Sequence, residues 1–307
     1  MKLHQLKYIR EVASHGLNIS VAAESLHTSQ PGVSKQIQLL EDELNLQIFQ
    51  RNGKRLIGIT EPGEQVIRLA ERVLRDMDNI KKVSQEFTTE AAGSITIATT
   101  HTQARYRLPA AIKAFVAAFP NVKLNIHQGS PLQVTEQVVK GEADIGIATE
   151  TISDFDELLC LPSYQWNRCV VTPHGHPLLN EAPLTLEKIT QYPLITYDFA
   201  FTGGSLVTRT FEKEGLTPNV VLTAIDADVI KTYVGLGLGI GLLANMAYDA
   251  ERDGHLAMLD ASHLFAPSTT YVGIRRDAYL RGFMYHLIEI LCPQYDKRAV
   301  KKALRND

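Results

Sequence analysis

Between Thr28 and Gln38 the chain carries a run of polar side chains of the kinds that read base pairs. Glutamine makes a two-point hydrogen-bond pair with adenine, lysine reaches guanine, and serine bonds base edges or phosphate. Gln30, Ser34, Lys35 and Gln38 fall opposite Val33, Ile37, Leu40 and Leu44, whose steps of four, three and four predict an amphipathic helix. Pro31 suits the first turn of that helix, with Ser29 or Gln30 ahead of it as the cap. The same residues also read as the solvated face of an ordinary helical hairpin. A second cluster, Thr99-Thr100-His101-Thr102-Gln103-Ala104-Arg105, follows an apolar strand and opens a helix. Helix starts attract anions through free N–H groups and the dipole. Thr100, Thr102 and Gln103 add neutral donors suited to sulfate or carboxylate. Gln128-Gly129-Ser130 opens the next helix and Thr149 ends a third strand; parallel sheets collect ligands at such strand ends and helix starts, so all should converge on one cleft. As plain helix caps, these threonines need no ligand at all.

Each cluster needs elements to hold it. Ala22, Ala23 and Leu26 share one face of a short helix before the Thr28 turn, which completes a helix-turn-helix pattern. Leu3, Leu6, Ile9, Val12 and Ala13 line an earlier helix, and Leu46, Ile48 and Phe49 close the small core. Arg51-Asn52-Gly53-Lys54-Arg55-Leu56 reads as a hairpin turning at Asn52-Gly53, with Leu56 to Ile59 as the return strand. Arg51, Lys54 and Arg55 would make it a basic wing along the phosphate backbone; a solvated charged turn is the alternative. At Thr60-Glu61-Pro62-Gly63 a long helix starts. Its Val66, Ala70, Val73, Met77 and Ile80 are spaced as a heptad seam. So long and polar a helix is marginal alone in water, which predicts a partner helix and a dimer.

Past Glu90 to Ser94, strands and helices alternate. Strands are expected at 95–99, 122–127 and 143–149, with helices at 108–119 and after Pro131. Further strands are expected near 169–172, 194–196, 220–223, 240–243 and 269–274, with helices at 229–236 and 280–291. This alternation predicts an α/β fold with parallel sheets and crossover helices.

The chain has 307 residues, enough for two or three domains, with 45% hydrophobic and 21% charged residues as in a soluble globular protein. Net charge is −3, so any DNA contact depends on where the cations sit. Met1 to Thr60 holds seven cations against five acids, a net +2. Cys160, Cys169 and Cys292 lack C-x-x-C spacing and read as reduced thiols. The first residues lack an apolar signal core, and the glycine-rich run Val234 to Leu243 is too short to span a bilayer. The expectation is a cytoplasmic protein with no membrane partner.

Catalytic chemistry finds no assembly. Gly235-Leu236-Gly237-Leu238-Gly239-Ile240-Gly241 is not a G-x-G-x-x-G loop, precedes a strand, and reads as close backbone packing. His174-Gly175-His176 lacks further ligands at metal spacing, and Gly203-Gly204-Ser205 misses the second glycine of a nucleophile elbow. The expectation is no enzyme, no catalytic residue, no metal and no cofactor.

The run from Ala22 to Ile37, with Leu40-Glu41-Asp42-Glu43-Leu44 and Ile48-Phe49-Gln50-Arg51, resembles the N-terminal domain of the LysR-type transcriptional regulators. The segments Thr99 to Tyr106, Gln128 to Pro131, Tyr164 to Arg168, Tyr192 to Tyr197, Phe201-Thr202-Gly203 and Asp226 to Tyr233 are similar to the CysB/Cbl subfamily, tied to the cysteine regulon and sulfur assimilation. The resemblance implies a winged helix-turn-helix over 1–60, a linker and dimerisation helix over 61–87 and an effector-binding region over 88–307. That region would have two lobes like a periplasmic binding protein, lobe I about 93–161 plus 268–307 and lobe II about 162–267. It implies DNA contacts from Ser29, Gln30, Pro31, Ser34, Lys35, Gln38, Arg51, Lys54 and Arg55. It implies an acetylserine-like or sulfate-like effector near Thr100, Thr102, Gln103, Thr149, Trp166 and Thr202, to which the helix-start argument above adds Gln128 and Ser130. Promoter DNA, a homodimer or homotetramer and RNA polymerase are the implied partners. Another pathway with a different small anion stays open. The chain also stops soon after its expected last helix, without the longer tail of those relatives.

Overall fold

The computed structural model describes residues 1–53, 55–88, 92–198 and 205–305; Lys54 and Thr202, two of the expected site residues, lie outside them. The chain divides into two compact units, Met1–Thr88 and Thr89–Asp307.

The first unit runs α1 (Leu3–Ser14), α2 (Ile19–Ser25), α3 (Gln30–Leu44), the hairpin β1 (Phe49–Asn52) and β2 (Arg55–Ile59), and α4 (Glu61–Thr88). Leu6, Ile9 and Val12 of α1 meet Ala22 and Ala23 of α2 and Val33, Ile37 and Leu40 of α3 in one core. Each fully buried leucine or isoleucine there is worth roughly 1.5–3 kcal/mol. Asn18 caps α2 by accepting from Ser20 N and Val21 N. Left-handed Asn45 (φ 50°) stops α3.

The hairpin turns one residue later than expected. Asn52 pairs with Arg55, and Gly53, the next residue, takes the left-handed conformation (φ 61°) where the chain leaves the strand. Glycine tolerates that conformation without a Cβ clash, which outweighs the Asn-Gly signal. Thr60 caps α4 through Gly63 N at 2.9 Å. A Cβ on Gly63 would sit 2.1 Å from the Ile48 carbonyl oxygen, so only glycine lets the helix start this close to the hairpin.

The apolar residues of α4 form two rows, where one seam was expected. Ile67, Ala70 and Leu74 are buried in the core of the first unit, with Val66 and Met77 against them. Leu69, Val73, Ile80, Val83 and Phe87 are exposed. Ala70 therefore belongs to the inner row, while Val73 and Ile80 belong to an outward stripe.

The second unit begins β3 (Gly93–Thr99), a π-helical turn (Gln103–Arg107), α5 (Leu108–Ala118), β4 (Val122–Gln128), α6 (Pro131–Lys140), β5 (Ile145–Thr149) and β6 (Leu158–Trp166). It continues β7 (Arg168–Pro173), α7 (Leu186–Thr190), β8 (Leu194–Tyr197), α8 (Leu206–Lys213), β9 (Val220–Ala224), α9 (Ala227–Gly235), β10 (Ile240–Ala244) and β11 (Leu256–Asp260). Then come β12 (Ser268–Arg275), α10 (Gly282–Leu291) and α11 (Lys297–Arg305). Two five-stranded sheets result, ordered β4-β3-β5-β12-β6 and β11-β7-β10-β8-β9. The chain crosses from the first sheet to the second after Trp166 and returns with β12. Lobe I thus holds the chain to Trp166 rather than to about 161, because β6 pairs with β12 as far as Ser268↔Trp166.

The β3, β4 and β5 pairings are parallel, as are those of β8 with β9 and β10, while β12 and β7 run antiparallel to their neighbours. In the glycine run, a Cβ on Gly239 would meet the Pro193 carbonyl oxygen at 2.3 Å, and one on Gly241 would meet Val171 at 2.7 Å. Backbone packing is therefore the use of that run.

Candidate functional site: a base-reading helix and an interlobe cleft

Ser29 caps α3, its Oγ accepting from Gly32 N at 3.3 Å, and Pro31 sits in the first turn. Gln30 Nε2 reaches Ser34 Oγ at 3.4 Å. Gln30, Lys35 and Gln38 are exposed on the side of α3 opposite Val33, Ile37 and Leu40, and Ser34 is half-buried. The polar face is thus presented outward by a helix whose other face is fixed in the core.

The wing is anchored by Glu41, which is buried within α3 at 2% exposure. Its Oε1 accepts from the backbone N–H of Ile48 (2.9 Å) and Phe49 (3.1 Å), and its Oε2 accepts from Arg51 Nη2 at 2.9 Å. Arg51 is therefore committed to positioning the wing. Arg55, exposed beyond the loop, is the described wing cation without such a commitment.

In the second unit, the register brings strand ends together. Thr99 lies beside Gln128 of β4 and Ile147 of β5, so Thr100, Gln128, Ser130 and Thr149 sit at one edge of the lobe I sheet. Thr100, Thr102 and Gln103 are buried, Ser130 and Thr149 half-buried, and Gln128 exposed. Ser130 caps α6 by accepting from Gln133 N (3.3 Å), while its own N–H donates to Gln133 Oε1 (2.9 Å). Gln103 is spent inside lobe I: its Nε2 donates to Thr270 Oγ1 at 3.3 Å, and its Oε1 accepts from Tyr164 Oη. The side-chain hydroxyls of Thr100 and Thr149 make no hydrogen bond among the described residues. Trp166 Nε1 is buried without a partner there, and the Arg168 guanidinium lies over its ring at 5.0 Å.

Thr102 reaches across the lobes. Its Oγ1 lies 3.2 Å from Tyr197 Oη at the end of β8. Burial pushes the Tyr197 phenol up to about 12, so it stays protonated and serves as donor or acceptor. Next to this contact a clamp joins the turn after β3 to the start of α9. Arg105 Nε lies 2.5 Å from Asp228 Oδ2, and Tyr106 Oη donates to Asp228 Oδ1 at 2.6 Å. Lys231 Nζ reaches Tyr106 Oη at 3.0 Å, Asp228 Oδ1 at 3.1 Å, Asp253 Oδ2 at 2.8 Å and the Ala247 carbonyl at 2.8 Å. Burial acts to raise the Asp228 pKa, but hydrogen bonds from Tyr106 and Lys231 and the nearby cations outweigh it and hold the carboxylate below its ordinary value. Burial acts to lower Lys231, and its bonds to Asp253, Tyr106 and Asp228 instead raise it.

His101, Asp226 and Asp228 bring ligand atoms within 4.8 Å of one another. Arg105 and Lys231 already neutralise Asp228, so the cluster works as part of an ion-pair network. His101 Nδ1 sits 3.0 Å from Asp226 Oδ1 without the alignment of a hydrogen bond. Two open cavities lie elsewhere: one of 490 Å³ beside α7 and α8, and one of 290 Å³ between α5, α10 and the lobe I sheet. Neither is lined by the cleft threonines, whose space is bridged by the Thr102–Tyr197 contact and the clamp.

Residues 3–64 match the bacterial regulatory helix-turn-helix protein family of lysR type, and residues 88–294 match the LysR substrate binding domain. The chain belongs to the LysR family. It is 48% identical over 307 residues to the HTH-type transcriptional regulator CysB of Burkholderia cenocepacia, covering 100% of this chain and 98% of that one. It is 50% identical over 305 residues to the regulator SsuR of the same organism, covering 99% of each. The solved cofactor-binding domain of the Cbl transcriptional regulator is 42% identical with a TM-score of 0.68, covering 72% of this chain and 96% of that one.

A LysR-type chain with such relatives is a DNA-binding transcriptional regulator rather than an enzyme. Among the described residues, no helix is long and apolar enough to cross a membrane. Sequence reasoning on this regulator missed Arg105, Tyr106, Tyr197, Asp228 and Lys231 as cleft residues. Asp228 and Lys231 stood out only within the resembling segment Asp226 to Tyr233, and nothing in spacing alone pairs that segment with one more than a hundred residues earlier.

Proposed function

We propose that this LysR-type regulator controls promoters of sulfur assimilation and cysteine biosynthesis through a small sulfur-linked anion of the acetylserine, sulfate or adenylyl sulfate class. Residues 1–60 read the promoter, 61–87 pair subunits, and 88–307 bind the effector. The outward apolar stripe of α4 supports pairing into a dimer, from which a tetramer can be built. Ser29, Gln30, Pro31, Ser34, Lys35 and Gln38 meet the major groove, with Arg55 and Lys54 on phosphates. Arg51 acts one step back, through Glu41. A cytoplasmic regulator of this kind acts on RNA polymerase at the promoter.

One observation carries the effector assignment: buried hydroxyls of Thr100 and Thr102 at a helix start, with no cation among the expected ligands. Neutral donors and a helix dipole suit a small, fully ionised anion. Thr149, Ser130, Gln128 and the free Trp166 N–H supply further donors, and Thr202 belongs to the same set. Gln103 joins only by giving up Tyr164 or Thr270. An effector switches the regulator only by binding two lobe arrangements unequally. Here it competes with Tyr197 for Thr102, and so acts on the contact beside the clamp.

Calorimetry of the full chain with acetylserine, sulfate, thiosulfate and adenylyl sulfate tests this. At least one should bind, and Thr102→Ala should lower its affinity about tenfold, the worth of one hydrogen bond to a charged group. Binding unaffected by Thr102→Ala would remove this cleft from the account.

A further inference from the structure

The last helix, α11, reads Lys-Arg-Ala-Val-Lys-Lys-Ala-Leu-Arg: five cations and no acid in nine residues. At about 100° per residue, Lys297, Lys301, Arg305, Arg298 and Lys302 fall within one arc of about 140°. All five are exposed. The opposite side carries Val300, at 1% exposure, with Ala303 and Leu304, all packed into the core of lobe I. Lys297 and Lys301 stack near the Tyr285 ring, at 5.3 and 5.8 Å, which steadies their stems. Arg298, Lys302 and Arg305 make no ion pair among the described residues. Asp296, the acid next to the helix, is engaged as a cap on Ala299 N at 2.7 Å.

A strip of this kind is built for a polyanion. A protein partner would need an apolar centre to its docking patch, and here Val300, Ala303 and Leu304 of α11 are turned inward, leaving only the small Ala299 between the cations and the core. The same burial denies the helix an apolar face to insert into a lipid surface. Duplex DNA needs neither, since its affinity comes from neutralised phosphates. The regulator has reason to use such a strip. Its DNA-reading segment carries a net charge of only +2, and one cation of its wing is held by Glu41.

We propose that α11 is a second DNA-contacting element, a rigid row of cations lying along the phosphate backbone of the promoter duplex. This rests on the regulator reading above. A helix of nine residues is about 13 Å long and spans about four phosphates of one strand.

The test is fluorescence anisotropy of the full-length protein on labelled promoter and random duplexes, between 50 and 200 mM salt. The triple variant Arg298→Gln, Lys302→Gln, Arg305→Gln should weaken binding to both duplexes by a similar factor, about tenfold or more. It should also reduce the salt slope by about two to three per engaged subunit. Lys302→Arg should bind as the parent does, and the melting temperature of the triple variant should stay within a few degrees. Unchanged slope and affinity overturn the proposal. So does a variant that binds DNA normally but fails to activate transcription, since the strip would then serve a protein. Should the parent protein show no preference for promoter over random duplex, the regulator reading fails; the slope on random duplex still decides the role of α11.

Discussion

α3 and α9 both present polar residues beside a buried apolar face, yet they spend them in opposite ways. On α3 the exposed Lys35 and Gln38 take no protein partner among the described residues, and their bonds are left for water or DNA. On α9 the charged groups close on protein: Asp228 takes Arg105, Tyr106 and Lys231, and Lys231 takes Asp253 and the Ala247 carbonyl as well. The first face is made ready for a stiff external partner. The second holds two lobes of its own chain, so a ligand must trade against bonds already made. Recognition and switching therefore sit on surfaces with different internal demand.

The largest way to break the comparison is at Lys231. Its side chain and that of Asp253 are both buried, so Lys231→Met leaves Asp253 without its cation and Asp228 short of one partner. Removing one member of a buried pair costs about 3–5 kcal/mol. Urea unfolding should show that loss as a lower midpoint, and a midpoint unchanged within error would mean the network is ornamental. On α3 the matching change, Lys35→Ala, should leave stability alone and weaken operator binding by about 1–3 kcal/mol. Calorimetric affinity for the effector should not move with it; equal losses in both would show that the two units are not separable.

The legibility of the sequence follows the same divide. Steps of three and four located α3 and α2, because a helix buries one face by local rules. Strict strand-helix alternation located β3 to β5 and β8 to β10. The edge strand β6 was missed because Pro162 breaks its pattern, and an edge position tolerates a proline that a central strand does not. The seam on α4 was misassigned because apolar residues on a long helix can serve two surfaces, and only packing divides Ala70 from Val73. The threonine cluster could be found because it is contiguous. The clamp could not, because it joins residues whose proximity exists only once both lobes are folded. α11 was overlooked although Val300, Ala303 and Leu304 recur at helical spacing and its run of cations was plain to see.

The gentlest probe of the comparison is pH. The folded pKa of Asp228 lies below its ordinary 3.8, so its contribution is full above that value and fades as pH falls through the folded one. Lys231 is raised above its ordinary 10.5, so its contribution is full below that value and fades as pH climbs past the folded one. The clamp should then be intact from about pH 5 to 10, while α3 has no comparable acid on its reading face. Arg105 is half-exposed, and solvent screening keeps its share within about 1 kcal/mol, so the acid effect is small. Trp166, the one tryptophan, stands at the crossing between the lobes and reports it directly. Its emission should hold steady from pH 5 to 9 and shift below about pH 4 before global unfolding, and Asp228→Asn should abolish that early shift. An early shift that survives in Asp228→Asn would assign the acid response to another carboxylate and release the clamp from any part in lobe movement.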